Sequence, residues 1–163
     1  MTVTSRIPAL LTYLITLFTN SALLGQATPA VTLLDGPQVT GLDAPLKLFV
    51  GLTDPDSTAV EPAAESVQEW GAIGRLGRNE TITIRCCAEA WAGTDDMATV
   101  RASVTGIVAS VEQVLQADST QFGGNVLYPD PGITSLALAQ NSTQQGAVAR
   151  VAFDLVFKAR IGG

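Results

Sequence analysis

Glu80-Thr-Ile-Thr-Ile-Arg-Cys-Cys-Ala-Glu-Ala-Trp91 is followed at once by Thr94-Asp-Asp-Met-Ala-Thr-Val-Arg-Ala-Ser-Val-Thr-Gly-Ile-Val-Ala-Ser-Val-Glu-Gln-Val-Leu115. The two stretches carry different periods. In the first, Ile82, Ile84, Cys86, Ala88 and Ala90 fall on one face, and Thr81, Thr83, Arg85, Cys87 and Glu89 on the other, the period of two that marks a strand. In the second, Met97, Val100, Val104, Ile107, Val108, Val111 and Leu115 form one stripe at helical spacing. Thr94 is placed to cap this helix, and Asp95 and Asp96 suit the positive end of its dipole. Gly106 weakens it by about 1 kcal/mol relative to Ala.

Working outward, residues 147–160 repeat the strand pattern. Ala147, Ala149, Val151, Phe153, Leu155, Phe157 and Ala159 face inward, while Arg150, Asp154, Lys158 and Arg160 face out. A shorter strand over 133–140 and a polar turn from Asn141 to Gly146 make residues 133–160 a β-hairpin. Upstream, 45–52 alternates as a strand, 31–34 is strand-like, and Asp35-Gly36-Pro37 is a turn. Residues 6 to about 22 form a first helix, with Ser5 as N-cap and Pro8 in the first turn, ending near Gly25. Its stripe of Ile7, Leu10, Leu11, Leu14, Ile15 and Phe18, opposite Thr12, Thr16 and Thr19, marks a docked helix rather than a secretory signal cleaved between Ala22 and Ala27. The apolar run is also too short to span a bilayer. The expected fold is α+β: a mostly antiparallel sheet, an N-terminal helix and a second helix packed on it, and a C-terminal hairpin, all in one domain over 1–163.

Residues 53–70 read as a long acidic loop with Asp54, Asp56, Glu61, Glu65 and Glu69, broken by Pro55 and Pro62 and lacking any basic residue. Trp70 ends it, and Arg75, Arg78 and Arg85 follow. An acidic segment beside a basic one can supply complementary patches to identical subunits that meet head to tail. Asp54, Asp56, Thr58 and Glu65 fall at positions 1, 3, 5 and 12 of a calcium loop. The glycine such a loop requires at position 6 is Ala59, so the solvated-loop reading stands.

Composition narrows the chemistry. The chain has 163 residues, a net charge of −6 and no histidine, so it lacks the commonest general base and metal ligand. The charge argues against gripping nucleic acid through phosphate neutralisation. At 15% charged residues against about 25% in typical domains, the surface is poor in charge, as expected where a partner covers part of it. Cys86 and Cys87 are adjacent and point to opposite strand faces, so they do not bridge; one is expected buried and the other half-exposed. Gly71, Gly74 and Gly77 precede a strand and lack the spacing of a dinucleotide-binding turn. No nucleophile–base pair, metal-ligand cluster or cofactor motif is recognisable, leaving a carboxylate-only hydrolase as the remaining enzyme class, with no catalytic residue to assign.

The chain resembles the tail terminator (tail completion) family of long-tailed bacteriophages. The likeness runs over most of its length. It begins with the first helix and Val31-Thr-Leu-Leu-Asp-Gly-Pro37, then Leu48-Phe-Val-Gly-Leu-Thr-Asp-Pro-Asp56. It continues through Trp70 to Trp91 with the approach Gly77-Arg-Asn-Glu-Thr81, and Trp91-Ala-Gly-Thr-Asp95 with its helix. It closes on the hairpin that opens Gln140-Asn-Ser-Thr-Gln-Gln-Gly-Ala-Val-Ala-Arg-Val-Ala-Phe153. These are patterns of packing and turns. The departures are the very apolar first helix and the longer acidic loop.

The resemblance implies a non-enzymatic virion protein, assembled in the host cytoplasm. It would form a hexameric ring that caps the tail tube and joins it to the head–tail connector. Genomic DNA would pass through the lumen without specific binding, and neither cofactor nor membrane would be involved. Under that reading Asp54, Asp56, Glu61, Glu65, Trp70, Arg75 and Arg78 are the candidates for subunit or tube contacts. A head–tail connector, a tail tube subunit and a secreted binding module are the alternatives.

Overall fold

The structure is a computed structural model that describes residues 3–40, 42–71, 77–126 and 132–162. Its elements, in order, are α1 (Ile7–Asn20), β1 (Thr32–Asp35), β2 (Leu46–Val50), β3 (Ala64–Trp70), β4 (Arg78–Ala92), α2 (Met97–Ala117), the short α3 (Gln121–Gly124), β5 (Gly132–Thr143) and β6 (Gly146–Ile161). The fold is α+β, with one six-stranded sheet in the order β1-β2-β4-β6-β5. β3 lies off this path and pairs with β4. All pairings are antiparallel except β1 with β2.

The longest pairing, β4 on β6, joins the two stretches with the clearest alternation. Ile82 lies opposite Phe157, Ile84 opposite Leu155, and Cys86 opposite Phe153. These side chains all point to one face, where α1 and α2 cover them. Leu10, Leu14 and Phe18 of α1 and Val104 and Val111 of α2 are fully buried against that face. The N-terminal apolar stripe is therefore core. Phe122, between α2 and β5, plugs the same layer and stacks edge-on against Phe157 at 5.3 Å. No helix among the described residues is long and apolar enough to cross a membrane.

Two turns have steric requirements. Gly146 turns the hairpin at φ +126°, and a Cβ there would sit 1.9 Å from the Ala92 carbonyl oxygen. Gly25 closes the end of α1, where its N–H donates to the Phe18 carbonyl at 3.1 Å and a Cβ would meet Thr19 O at 2.2 Å.

Several expectations need correction. The acidic loop does not run over 53–70: residues 64–70 are the strand β3, paired with β4 from Ala64↔Ile84 to Trp70↔Arg78. β4 is long enough to take β2 along one half of its edge and β3 along the other. The hairpin turn is tighter than a loop over 141–146, because pairing continues to Thr143↔Gly146. The α2 cap is Asp96, whose carboxylate accepts from the Thr99 N–H at 3.1 Å, and not Thr94. Asp96 is held below its ordinary pKa by its hydrogen bonds with Thr99. At α1 the N-cap position is Arg6; Ser5 Oγ accepts from the Ile7 N–H at 3.1 Å just outside it. Gly106 faces open space.

Both cysteines are buried, because the second face of β4 is also covered. There Cys87 packs with Leu34, Phe49 and Leu52 in a separate small cluster. Burial pushes the Cys87 thiol up to about 12 and raises Cys86 as well.

Candidate interaction site on the helix-free face

The second face of the sheet carries no helix, and its charges fall in a row fixed by register. Lys47 on β2 lies opposite Glu89 on β4, which lies opposite Arg150 on β6. The row alternates plus, minus, plus, the favourable order for cross-strand neighbours. Lys47 Nζ is 2.5 Å from Glu89 Oε1 and also donates to the Leu42 carbonyl at 2.5 Å. Arg150 Nε donates to Glu89 Oε2. Lys47 and Glu89 are only 6% and 5% exposed, so each depends on the other for compensation of its lost hydration.

A second guanidinium nitrogen of Arg150 reaches into the loop over 53–63. Its Nη1 is 2.5 Å from Asp56 Oδ2 and 3.8 Å from Asp54 Oδ1. The hydrogen bond from Arg150 holds the Asp56 carboxyl below its ordinary pKa of 3.8. The Arg150 guanidinium is raised in turn: hydrogen bonds to Asp56 and Glu89 outweigh the opposing effect of its burial. Glu61 closes the loop on itself, its Oε2 accepting from the N–H of Thr53 at 3.2 Å and of Asp54 at 3.4 Å. Asp54 Oδ1 accepts from the Asp56 N–H at 3.0 Å, a local turn made by the side chain. The loop, the ion row and the apolar side chains of Phe49, Trp91 and Val148 enclose a cleft of about 350 Å³.

The candidate residues therefore do not form one patch. Asp54, Asp56 and Glu61 lie in the strapped loop. Glu65 is on β3, where its carboxylate is 3.3 Å from Arg85. Trp70, at the end of β3, is 71% exposed, and the Arg78 guanidinium sits over its ring at 5.2 Å. Arg75 lies outside the described residues. The positions proposed for a calcium loop are likewise separated, with Asp56 turned to Arg150 and Glu65 to Arg85. Among the described residues no group of three or more His, Cys, Asp or Glu side chains is placed to hold a metal ion.

Sequence reasoning missed Lys47, Glu89 and Arg150 as a unit. Alternation alone puts Glu89 and Arg150 on the outer faces of their strands, but only the register of three strands distant in sequence brings them together with Lys47. It also missed Glu80, a carboxylate 1% exposed on the helix-covered face. Glu80 accepts from Ser5 Oγ, from the Arg6 N–H at 2.9 Å and from Gln68 Nε2 at 3.4 Å. A carboxylate beside the first turn of α1 suits the positive end of the helix and ties α1 to the sheet.

The two outer strands form a second kind of site. β5 spans twelve residues and is exposed along nearly its whole length, with Leu136 56% and Leu138 43% exposed. Among the described residues β5 pairs only with β6, and β3 pairs only with β4. No family model matches the chain, and no curated protein is significantly similar to it.

Proposed function

We infer that this chain is a ring-forming structural subunit of a bacteriophage neck, capping the tail tube and joining it to the head–tail connector. The observation that carries the reading is the pair of open sheet edges, β5 and β3, on opposite sides of one subunit. A ring closed head to tail needs two different patches on each copy, and open edges are ready templates for association. The resemblance to tail terminators supplies the identity of the ring, six subunits, and its partners, the tail tube and connector proteins. The net charge of −6 suits a lumen through which DNA slides without being gripped. The role is structural and needs no catalytic group or cofactor, and its place is the virion.

Electron microscopy of the purified protein tests this. Closed rings with a central opening support the terminator reading. Long tubes would instead make the chain a tail tube subunit, since a terminator stops growth and a tube protein continues it. Reversing Arg75 and Arg78 to Glu is expected to abolish ring formation while the monomer stays folded; an unchanged ring would remove both residues from the contact.

A further inference from the structure

The edge strand β5 lacks the features that keep exposed edges from pairing. Residues 132–143, Gly-Ile-Thr-Ser-Leu-Ala-Leu-Ala-Gln-Asn-Ser-Thr, contain no charge and no proline. The one irregularity in its pairing falls between Ile133 and Ser135, leaving 136–143 regular. Leu136 and Leu138 are 56% and 43% exposed on its helix side. The strand registers show what stands level with it on the far side of the sheet. β3 is level with 155–161 of β6, past all but the first residues of β5. The regular part of β5 is level with β1. Thr32 shares a row with Lys47, Glu89, Arg150 and Ala139, and Asp35 shares one with Val50, Cys86, Phe153 and Leu136.

In each edge strand alternate residues turn their backbone groups outward. The Gly36 N–H donates to the Val50 carbonyl at 2.8 Å, so the even-numbered residues of β1 face β2, and Leu33 and Asp35 face out. The two-residue turn between Thr143 and Gly146 makes these two the hydrogen-bonded closing pair of the hairpin. Counting back along β5, Ala139 and Ala137 bond to β6, and Leu138 and Leu136 face out. Among the described residues the outward groups of Leu33, Leu136 and Leu138 have no backbone partner. The Asp35 carbonyl accepts only from the side chain of Gln38, at 2.8 Å.

We propose that β5 of one copy adds antiparallel to β1 of the next, with Leu138 opposite Leu33 and Leu136 opposite Asp35, so that one sheet continues around the ring. This rests on the ring reading and names its seam. Three matches, in sense, phase and face, select a second copy as the occupant. β1 runs with β2, and β2, β4, β6 and β5 alternate, so β1 runs opposite to β5. Rotation about an axis along the strands changes neither sense nor level, so the next copy's β1 arrives antiparallel to β5 and beside 136–139. The outward groups then meet in phase: Leu33 and Leu138 stand opposite and exchange both hydrogen bonds. The faces agree as well. Leu33 and Leu138 share a row with the buried Leu48 and Val151 of the helix-covered core, so both point to the helix side. A slip of one residue would break phase and face together.

Cysteine cross-linking tests the seam in the full chain, because Cys86 and Cys87 are both buried and contribute little background. Across the seam Thr32 and Ala139 form a non-hydrogen-bonded pair, whose Cα atoms lie about 4.5 Å apart, within reach of a disulfide. Under mild oxidation Thr32→Cys combined with Ala139→Cys is expected to give a covalent ladder up to the full ring, with neither single variant cross-linking. A ladder from Thr32→Cys with Ala137→Cys in its place would mean another register. Covalent dimers from Ala139→Cys alone would mean that β5 pairs with β5. Either would overturn the proposal.

A second variant, Leu138→Pro, removes an N–H that faces out and leaves the bonds between β5 and β6 in place. It is expected to reduce the native mass to that of the monomer, with the thermal melting curve retained. Rings that persist in this variant, with no ladder from the Thr32→Cys and Ala139→Cys pair, would overturn the seam and leave the ring reading standing. An unaltered protein without rings, and a cysteine pair without a ladder, would overturn both.

Discussion

The two faces of the sheet are covered in different ways. On one, α1 and α2 lay continuous apolar stripes over Ile82, Ile84, Phe153 and Phe157. On the other, a smaller cluster of Leu34, Phe49, Leu52 and Cys87 is buried, and a loop beside it is strapped down by the Arg150–Asp56 contact. Apolar burial contributes roughly 1.5–3 kcal/mol for each large side chain, whereas an exposed ion pair contributes about 0–1 kcal/mol. The helix-covered face therefore holds the fold. The loop over 53–63, held by a few charges at the edge of the smaller apolar cluster, is the part that can change without unfolding the subunit.

Removing volume from the helix-covered face gives the largest expected effect. Phe157→Ala leaves a hole beneath Phe122, and should cost about 3–5 kcal/mol in urea denaturation. A loss below 1 kcal/mol would mean that this face is loosely packed and that the comparison fails. Glu89→Ala strands Lys47 and Arg150 without their shared carboxylate, at a cost of about 3 kcal/mol by the same measurement. Arg150→Ala leaves the buried Glu89 with Lys47 alone and should cost about 1–3 kcal/mol, and speed amide exchange at Thr53 and Asp54 as the loop comes free. Equal slowing or no change there would show that the loop is held by something other than the strap.

The smallest effect is that of acid. Because Arg150 holds the Asp56 carboxyl below its usual value of 3.8, the strap is at full strength above that pH. It weakens as the pH falls through the lower folded value. Exchange in the loop should therefore be flat from neutral pH down to about 4, after correction for intrinsic rates, and rise below it. A rise beginning near pH 6 would contradict the assignment.

How much was legible in the sequence follows the same division. The helices, the long strands and the hairpin are written in local periodicity, because each apolar side chain on the helix-covered face recurs at the interval of its element. The strand β3 was hidden. Ala64-Glu-Ser-Val-Gln-Glu-Trp70 lies at an edge with both faces half open, so it carries no apolar alternation, and Pro62 just before it reads as loop. The α2 cap was misplaced by two residues because Thr94, Asp95 and Asp96 are all competent caps. Cys87 reads as half-exposed because the side chains that pack on it, Leu34, Phe49 and Leu52, come from segments over thirty positions earlier in the chain. The Lys47–Glu89–Arg150 row and the Glu80 anchor depend on register between distant segments, which no local pattern encodes. Of the candidate contact residues, the sequence identified the charges but not that Arg150 engages Asp54 and Asp56 within their own chain.

The measurement that bears most directly on the central claim is the native mass of the protein, by light scattering on a sizing column over a range of concentrations. A ring-forming subunit gives a closed species near six copies of the 16.9 kDa chain, alone or in equilibrium with monomer, and grows no further as concentration rises. A mass that stays at one chain at every concentration, or that increases without limit, would contradict it.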